Sequence, residues 1–353
     1  MALYATERID DAVSLTRSLL FPFDAGLWVR LAVVVFFLGF GSGGNVTSLG
    51  SNTPSAGSSA GSAAPGVDFS VDPGSVSIAS EAAAALAALA IVLVVIWLAV
   101  AWIGATLEFV FVAGLSNRSV AIRRGLGRHW GRGLRLFGFR LALLVLSLGV
   151  LGVTVLALFW EPITTALGGG SVTIGDAQIL VGIGTLLFVG ALVGLPAVAI
   201  HWLTTELVVP IMLARDRGVL AAWRELLAAV RAQWKQFGAY LLVAIGLRIA
   251  TSVAAGIVLA IVGVVLAIPF LIVGLLLGFG AVTSGTITAP LVVGIALLVV
   301  AFVLVLALAG AVVNVPIESF HRYFALLVVG DFERDFDLLG DIRPSLPDDT
   351  HNS

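Results

Sequence analysis

The chain has 353 residues, of which 59% are hydrophobic and 11% are charged, and its formal net charge is −2. Soluble domains carry about 25% charged residues, and the mean hydropathy here is +1.11, so the composition excludes a soluble globular protein and indicates a membrane protein. The chain contains no cysteine, which excludes disulfides, thiolate metal sites and cysteine nucleophiles.

In chain order, the sequence predicts an N-terminal interfacial helix in residues 1–25, a transmembrane domain in 26–325 and an acidic cytoplasmic tail in 326–353. Several apolar runs exceed the roughly 20 residues that cross a hydrocarbon core of about 30 Å. The predicted fold class is all-α integral membrane, with six transmembrane helices arranged as three hairpins and amphipathic interfacial helices on the cytoplasmic side. The spans are expected near 26–42, 82–114, 136–160, 178–213, 238–280 and 289–325.

The first connection, 43–81, is rich in glycine and serine and predicts a flexible external loop. Within it, Asn45 begins an Asn-Val-Thr triplet and is a candidate for N-glycosylation.

The fifth predicted span, 238–280, leaves two alternatives open. As one helix it would measure about 64 Å at 1.5 Å per residue, which is too long for one straight crossing. Pro269 is expected to end or kink the helix. The segment is therefore either one kinked span followed by a half-helix, or two spans.

Basic residues predict the orientation. They cluster in the connections after the second and fourth spans, whereas the remaining three connections contain no Lys or Arg. Because short cytoplasmic loops retain basic residues, we expect a plasma-membrane protein with both termini in the cytoplasm. Seven spans would place Arg322, Arg334 and Arg343 outside, so six are favoured.

Residues 217–237 predict an amphipathic cytoplasmic helix. Apolar side chains recur at intervals of three and four, while arginines recur every seven residues on another face. This pattern is typical of a helix whose basic face meets anionic lipid; the alternative is a connector whose charges only maintain topology. The predicted lipid-facing basic residues are Arg123, Arg124, Arg128, Arg217, Arg224, Arg231 and Lys235.

Charged residues also occur inside the predicted spans. Each outward-going span carries an Arg in its inner half, and each returning span carries a Glu near its inner end. An unpaired charge at the bilayer centre costs about 2.5–3.5 kcal/mol, so neighbouring helices are expected to pair these groups. Either Arg–Glu bridges clamp the hairpins together, or the groups line a path for an ion or solute. The predicted intramembrane cluster is Arg30, Glu108, Arg140, Glu206, Arg248 and Glu318.

No catalytic or metal-binding pattern is found. The four histidines lack metal-ligand spacing, and the Glu318–His321 pair is half of a di-iron pattern whose second half is missing. We therefore expect no catalytic residue, no metal, no cofactor and no enzyme activity. An enzyme acting on lipid would need to gather His201, Glu206, Glu318 and His321 at the inner leaflet.

Three stretches carry a resemblance to a known family: PFDAGLWVRLAVVVFFLGFGSGGN, VVPIMLARDRGVLAAWRELLAAVRAQWKQFGAYLL and RYFALLVVGDFERDFDLL. Over nearly the whole chain, the sequence resembles a family of uncharacterised multi-pass membrane proteins of halophilic archaea that carry a domain of unknown function. More distantly, the six-helix layout is similar to the membrane domain of some glycerophosphodiester phosphodiesterases. The catalytic domain of those enzymes has no counterpart here, so the resemblance implies topology and source and no activity.

Together these observations predict a non-enzymatic plasma-membrane protein. Its expected partners are membrane lipids, met through the basic cytoplasmic face, with other membrane proteins or further copies of the chain as additional partners and no nucleic acid. The alternative is a transporter or channel for an ion or small solute that uses the intramembrane Glu and Arg residues.

Overall fold

The computed structural model describes residues 4–41, 80–168, 176–284 and 289–342, and within these ranges all regular secondary structure is helical. The glycosylation candidate Asn45 lies outside the described residues. The helices are α1 (Tyr4–Leu20), α2 (Ala25–Gly41), α3 (Ser80–Ser116), α4 (Ile122–Leu158), α5 (Trp160–Leu167), α6 (Asp176–Leu203), a π-helical turn (Thr204–Val208), α7 (Val209–Arg215), α8 (Val219–Ala232), α9 (Trp234–Ser284) and α10 (Ala289–Phe332), followed by 3-10 turns at Arg334–Phe336 and Gly340–Ile342.

Several helices are long and apolar enough to cross a membrane. A further, shorter apolar segment, Ala25–Gly39, lies in α2. These findings confirm the prediction of a helical membrane protein with several spans, whereas the count of six stays a prediction. The 5 long segments are Ala90–Ser116, Ile122–Leu158, Gln178–Arg215, Trp234–Phe279 and Val293–Phe332.

Helix α9 resolves the alternatives left open for 238–280. It runs without interruption for 51 residues, with Pro269 inside it. Ending a helix in apolar surroundings leaves several backbone groups without partners, each costing several kcal/mol, whereas one internal proline costs about 3 kcal/mol. The helix therefore continues through Pro269. At 1.5 Å per residue its length is about 76 Å, more than twice the thickness of a hydrocarbon core of roughly 30 Å.

The long helices form an open ring. Going around it, α6 packs against α4, α4 against α3, α3 against α2, α2 against α10, and α10 against α9. Few contacts join α6 to α9 among the described residues. The ring is therefore open on one side, and we refer to this opening as the α6–α9 gap.

The buried residues concentrate at one end of the ring. This charged end comprises α1, the turn 117–121, α7, α8 and residues 333–342. Here Phe109, Leu207 and Tyr323 are fully buried, and the Tyr323 hydroxyl donates to the carbonyl oxygen of Leu115 at 3.0 Å. In contrast, the far halves of α4, α6, α9 and α10 expose most of their large apolar side chains. The packed core of the protein thus lies at the charged end.

A close approach joins α3 to α4 at Gly133. A Cβ atom added to this glycine would lie 2.1 Å from the Thr106 hydroxyl oxygen and 2.8 Å from the Thr106 Cα atom. Only glycine leaves enough room for the backbones to approach this closely. The contact fixes α3 and α4 in the register that the charged residues described below require.

Both ends of the described chain are held in the folded structure. Residues of α1 such as Leu15 are buried against α10, and Arg8, which is 2% exposed, forms an ion pair with Asp331 at 2.9 Å. The predicted interfacial helix therefore packs into the protein. Likewise, α10 continues past the expected boundary at 325 to Phe332, and Phe336 beyond it is 1% exposed. The first part of the predicted tail belongs to the core because its aromatic side chains are buried there.

Candidate functional site

A change of helix type positions the centre of the site. Helix α6 passes into α7 through the π-helical turn Thr204–Val208, immediately before Pro210 in the first turn of α7. Proline has no N–H to bond to the carbonyl four residues back, which belongs to Glu206, and its ring crowds that carbonyl. Ordinary α-helical bonding cannot continue there, and π-turns of this kind occur frequently at functional sites.

Two ion pairs join helices at this level, one buried on both sides and one with a buried carboxylate and a partly exposed guanidinium. Arg140 Nη2 on α4 lies 2.6 Å from Glu108 Oε1 on α3, with the side chains 8% and 1% exposed. Arg248 Nη2 on α9 donates to Glu206 Oε1 in the π-turn at 2.7 Å. Arg140 Nη2 also donates to Thr205 Oγ1 at 2.6 Å, which connects the two pairs through the π-turn.

A cavity of about 400 Å³ opens beside these pairs, among α2, α3, α6, the π-turn, α9 and α10. A cavity of this size fits a small molecule. One part of its wall is apolar and includes Val35, Leu38, Val198, Ile245 and Ile249. The polar part of the wall comprises Glu108, His201, Glu206, Arg248, Glu318 and Arg322, together with neighbouring hydroxyl and indole groups.

Several polar atoms in this wall are buried and have no hydrogen-bond partner among the described residues. These atoms are Glu108 Oε2, Glu206 Oε2, His201 Nε2, Trp202 Nε1 and Arg322 Nε. In folded proteins nearly all buried polar atoms are hydrogen-bonded, and leaving one without a partner costs about 1–3 kcal/mol. The geometry therefore favours water or a polar ligand in the cavity.

Helix α10 contributes two charges of opposite sign. Arg322, 2% exposed, donates from Nη1 to the carbonyl oxygen of Thr205 in the π-turn. Glu318 lies one turn earlier, lines the cavity, and has no hydrogen bond or ion pair within 4.0 Å to any described residue. Nearby, Thr251 Oγ1 and His321 Nε2 share a hydrogen bond of 2.9 Å. Glu318 thus interacts with the Arg248 guanidinium only through its charge, and its oxygen atoms are available to a ligand, whereas Glu108 and Glu206 each form a direct ion pair.

Arg30 is the member of the predicted cluster that lies apart from the others. It is exposed, and its Nη1 atom donates to the carbonyl oxygen of Val120 at 3.4 Å, in the turn between α3 and α4. Helix α2 packs between α3 and α10 and turns Leu31, Val34 and Val35 inward, so the position before Leu31 faces outward. The other predicted charges gather around the cavity.

Arg322 is the main residue of the site that the sequence did not indicate. Its position near the predicted end of the last span indicates only a basic residue that fixes topology. The signal that points to it is its spacing of four from Glu318 within an apolar helix, which places both charges on one helical face. Thr205 was also missed, since an isolated threonine in an apolar run carries no signal of a π-turn.

All seven residues of the predicted basic surface are exposed to solvent or lipid. Helix α8 buries Val219, Ala222 and Leu226 and turns its arginines outward. The helix ends at Ala232, with a break at Gln233 before α9 begins, so it is shorter than the predicted 217–237. Whether its arginines meet lipid stays a prediction. The exposed residues are Arg123, Arg124, Arg128, Arg217, Arg224, Arg231 and Lys235.

One carboxylate at this surface has a shifted pKa. Arg132 donates two hydrogen bonds, at 2.6 and 3.0 Å, to Asp216 Oδ1, and the guanidinium lowers the pKa of that carboxyl group below its usual value. Asp216 has left-handed backbone angles, with φ of 51°, at the end of α7. The ion pair therefore joins the start of the loop before α8 to α4.

Comparison with known proteins gives one match. A family described as "Family of unknown function (DUF7544)" matches residues 3–339. Searches of the curated proteins and of the solved structures each found no match. The expected haloarchaeal source and the distant similarity to a phosphodiesterase membrane domain therefore stay predictions.

Proposed function

Because this chain belongs to the Family of unknown function (DUF7544), whose description names no activity, we propose a function from the cavity: a non-enzymatic membrane transporter that binds a small polar ligand there. The observation that carries the proposal is the set of buried, unsatisfied polar atoms around about 400 Å³ of space. A tight clamp would satisfy these atoms within the protein. A ligand site leaves them for its ligand.

The backbone at the cavity supports transport rather than static binding. Transporter sites are commonly built where helices are interrupted, because freed backbone groups there contact the substrate. Here the π-turn and Pro210 interrupt α6–α7, and Pro316 lies inside α10, two residues before Glu318. The ring of helices is also open at the α6–α9 gap, so beyond the Arg248–Glu206 ion pair little packing opposes a separation of α6 from α9.

In this proposal the charged end faces the cytoplasm of a cell bounded by a plasma membrane. The support is the concentration of exposed basic residues at that end and the retention of such residues on the cytoplasmic side. Because the chain has no cysteine, single-cysteine labelling gives a clean test. A cysteine at Arg124 should react with a membrane-impermeant maleimide in inside-out vesicles only. Labelling in intact cells would reverse the orientation.

A thermal-stability screen in nanodiscs tests ligand binding. A ligand at 100 times its Kd stabilises the folded state by about 2.7 kcal/mol. We expect a saturable rise in Tm with at least one member of a panel of amines, amino acids and zwitterions. The rise should be lost in Glu318→Gln and kept in Glu225→Gln, a matched change in α8 away from the cavity.

Flux into proteoliposomes then separates transport from binding. A solute that stabilises the protein should accumulate in vesicles with wild-type protein and not with Glu318→Gln. If no member of the panel raises Tm in a Glu318-dependent way, the proposal of a ligand site fails. If binding is found without flux, the transporter part of the proposal fails.

A second candidate function, lipid binding at the charged end, is favoured by the exposure of Arg224 and Arg231 beside the exposed indole of Trp234. Each basic residue near an anionic surface contributes about 1 kcal/mol. We expect nanodiscs with anionic phosphatidylglycerol to raise Tm above that in neutral discs, and Arg224→Gln/Arg231→Gln to remove most of the rise. The effect should decline with added salt, because salt screens exposed charges. A rise that persists in the double variant would rule out this surface.

A further inference from the structure

The class of the ligand rests on the ligand site proposed above. We propose that the cavity binds the headgroup of a zwitterionic amphiphile that enters sideways from the bilayer through the α6–α9 gap. The ammonium group of the ligand contacts Glu318, its anionic group contacts Arg322, and its apolar chain lies in the gap.

The headgroup class follows from the charges that remain after the ion pairs are formed. Glu108 pairs with Arg140 and Glu206 pairs with Arg248. Glu318 and Arg322 each have no ion pair within 4.0 Å among the described residues, although the charge of Glu318 interacts with Arg248 and that of Arg322 with Glu206. The three carboxylates and three guanidinium groups balance, so an uncharged or zwitterionic headgroup keeps the site neutral, whereas a purely cationic or anionic headgroup does not.

Glu318 and Arg322 are also held apart in a way that leaves room for the ligand. A Glu four residues before an Arg is the favourable arrangement for an ion pair on one helix. Here Arg322 turns instead to the carbonyl oxygen of Thr205, and its Nε atom stays buried without a partner. The carboxylate and the guanidinium thus both border the cavity without neutralising each other. A zwitterion can bridge them, with its ammonium on Glu318 and its anionic oxygens on Arg322 Nε.

The route follows from the apolar wall. Val198 on α6 and Ile245 and Ile249 on α9 line the cavity, yet they are 67%, 48% and 61% exposed. Side chains that border both the cavity and the outer surface lie at its opening. This opening lies in the membrane-spanning part of α6 and α9, where the outside medium is lipid. The same side chains that would repel a hydrated ion suit the chain of an amphiphile.

Photocrosslinking in nanodiscs tests the proposal. The protein is reconstituted in phosphatidylglycerol discs with a small fraction of phosphatidylethanolamine that carries a photoreactive group near the top of one acyl chain. We expect crosslinks on α6 and α9 around Val198 and Ile249. Unlabelled phosphatidylethanolamine should compete, and the phosphatidylglycerol matrix should not. Glu318→Gln should weaken labelling roughly tenfold, as expected for the loss of one charge-assisted hydrogen bond.

A pair of matched variants tests the route. Ile249→Trp places a bulky ring at the opening and should reduce labelling, whereas Ile257→Trp, on the same exposed helix about 12 Å further along, should not. Ile257 is 59% exposed and does not line the cavity. Equal labelling of the two variants would overturn entry through the gap.

The remaining outcomes separate this inference from the proposed function. Soluble O-phosphoethanolamine carries the same headgroup charges without a chain. If it raises Tm in a Glu318-dependent way while the lipid probe does not label the gap, the lipid route is wrong and the polar ligand site stands. If excess phosphatidylglycerol suppresses labelling as well as excess phosphatidylethanolamine does, in discs whose matrix is an uncharged glycolipid, the preference for a zwitterionic headgroup is wrong. If neither probe binds, the lipid inference fails, and failure of the whole solute panel as well removes the ligand site.

Discussion

Replacing Glu108 by Gln tests whether the buried Glu108–Arg140 ion pair supports the fold. Glu108 is 1% exposed and Arg140 is 8% exposed, and the pair closes at 2.6 Å. Removing the carboxylate charge leaves the buried Arg140 guanidinium without its ion-pair partner, with only neutral acceptors beside it: the new amide oxygen and the Thr205 hydroxyl. Removing one member of a buried pair costs about 3–5 kcal/mol, or roughly two to four orders of magnitude in the unfolding equilibrium.

The assay is unfolding in mixed micelles followed by the fluorescence of the 8 tryptophans, with a double variant to complete the cycle. Replacing both groups, as Glu108→Gln/Arg140→Met, removes the uncompensated charge and should restore most of the lost stability. Glu161→Gln is the matched control: Glu161 is exposed and has no ion pair among the described residues, so the change should cost under about 1 kcal/mol. The reasoning is refuted if Glu108→Gln costs no more than this control, or if the double variant is as unstable as the sum of its single changes.

Three further changes probe the packing and charges of the charged end. Gly133→Ala should destabilise the protein by about 1–3 kcal/mol, because its Cβ would overlap the α3 backbone, while Gly131→Ala, with open space around it, should be neutral or stabilising. Arg8→Gln should make α1 more sensitive to limited proteolysis, since it breaks a buried ion pair with α10; unchanged cleavage would show that apolar contacts alone hold α1. The Asp216 carboxyl should titrate by NMR below its usual pKa of about 3.9 and return toward it in Arg132→Gln. Because its pKa is lowered in the fold, the pair's small stabilisation is present above the usual pKa and is lost as pH falls through the lowered one; equal titration in both proteins would contradict this.

The helical membrane architecture could be predicted because a long, continuous apolar run in lipid must satisfy its own backbone hydrogen bonds, and an α-helix does so within a single segment. The continuity of α9 through Pro269 could not, because it depends on how many backbone groups a break would leave unsatisfied. Likewise, the resemblance over nearly the whole chain predicted membership of an uncharacterised family, and the family match covers residues 3–339. Its source and the orientation in the membrane stay predictions.

Within the site, the periodic placement of Glu and Arg predicts charges that meet between helices, and the structure places Glu108 beside Arg140. The same periodicity predicts a charged partner for Arg30, whose side chain donates to the carbonyl oxygen of Val120. Sequence spacing gives the depth of a charge in a span but not the direction in which the helix is turned, and packing of α2 between α3 and α10 turns Arg30 outward. Arg322 was missed for the related reason that topology already explained its charge.

The π-turn has a consequence for how this chain can vary in length. An α-helix turns by about 100° per residue, and the π-turn Thr204–Val208 takes up one residue more per turn than an α-helix does. Deleting a single residue there would rotate everything after it by about that angle relative to α6. The buried face of α7, with Ile211 and Met212 at 0% exposure, would swing out of the core together with the loop that leads to α8. Insertions and deletions of one residue should therefore be excluded at this point.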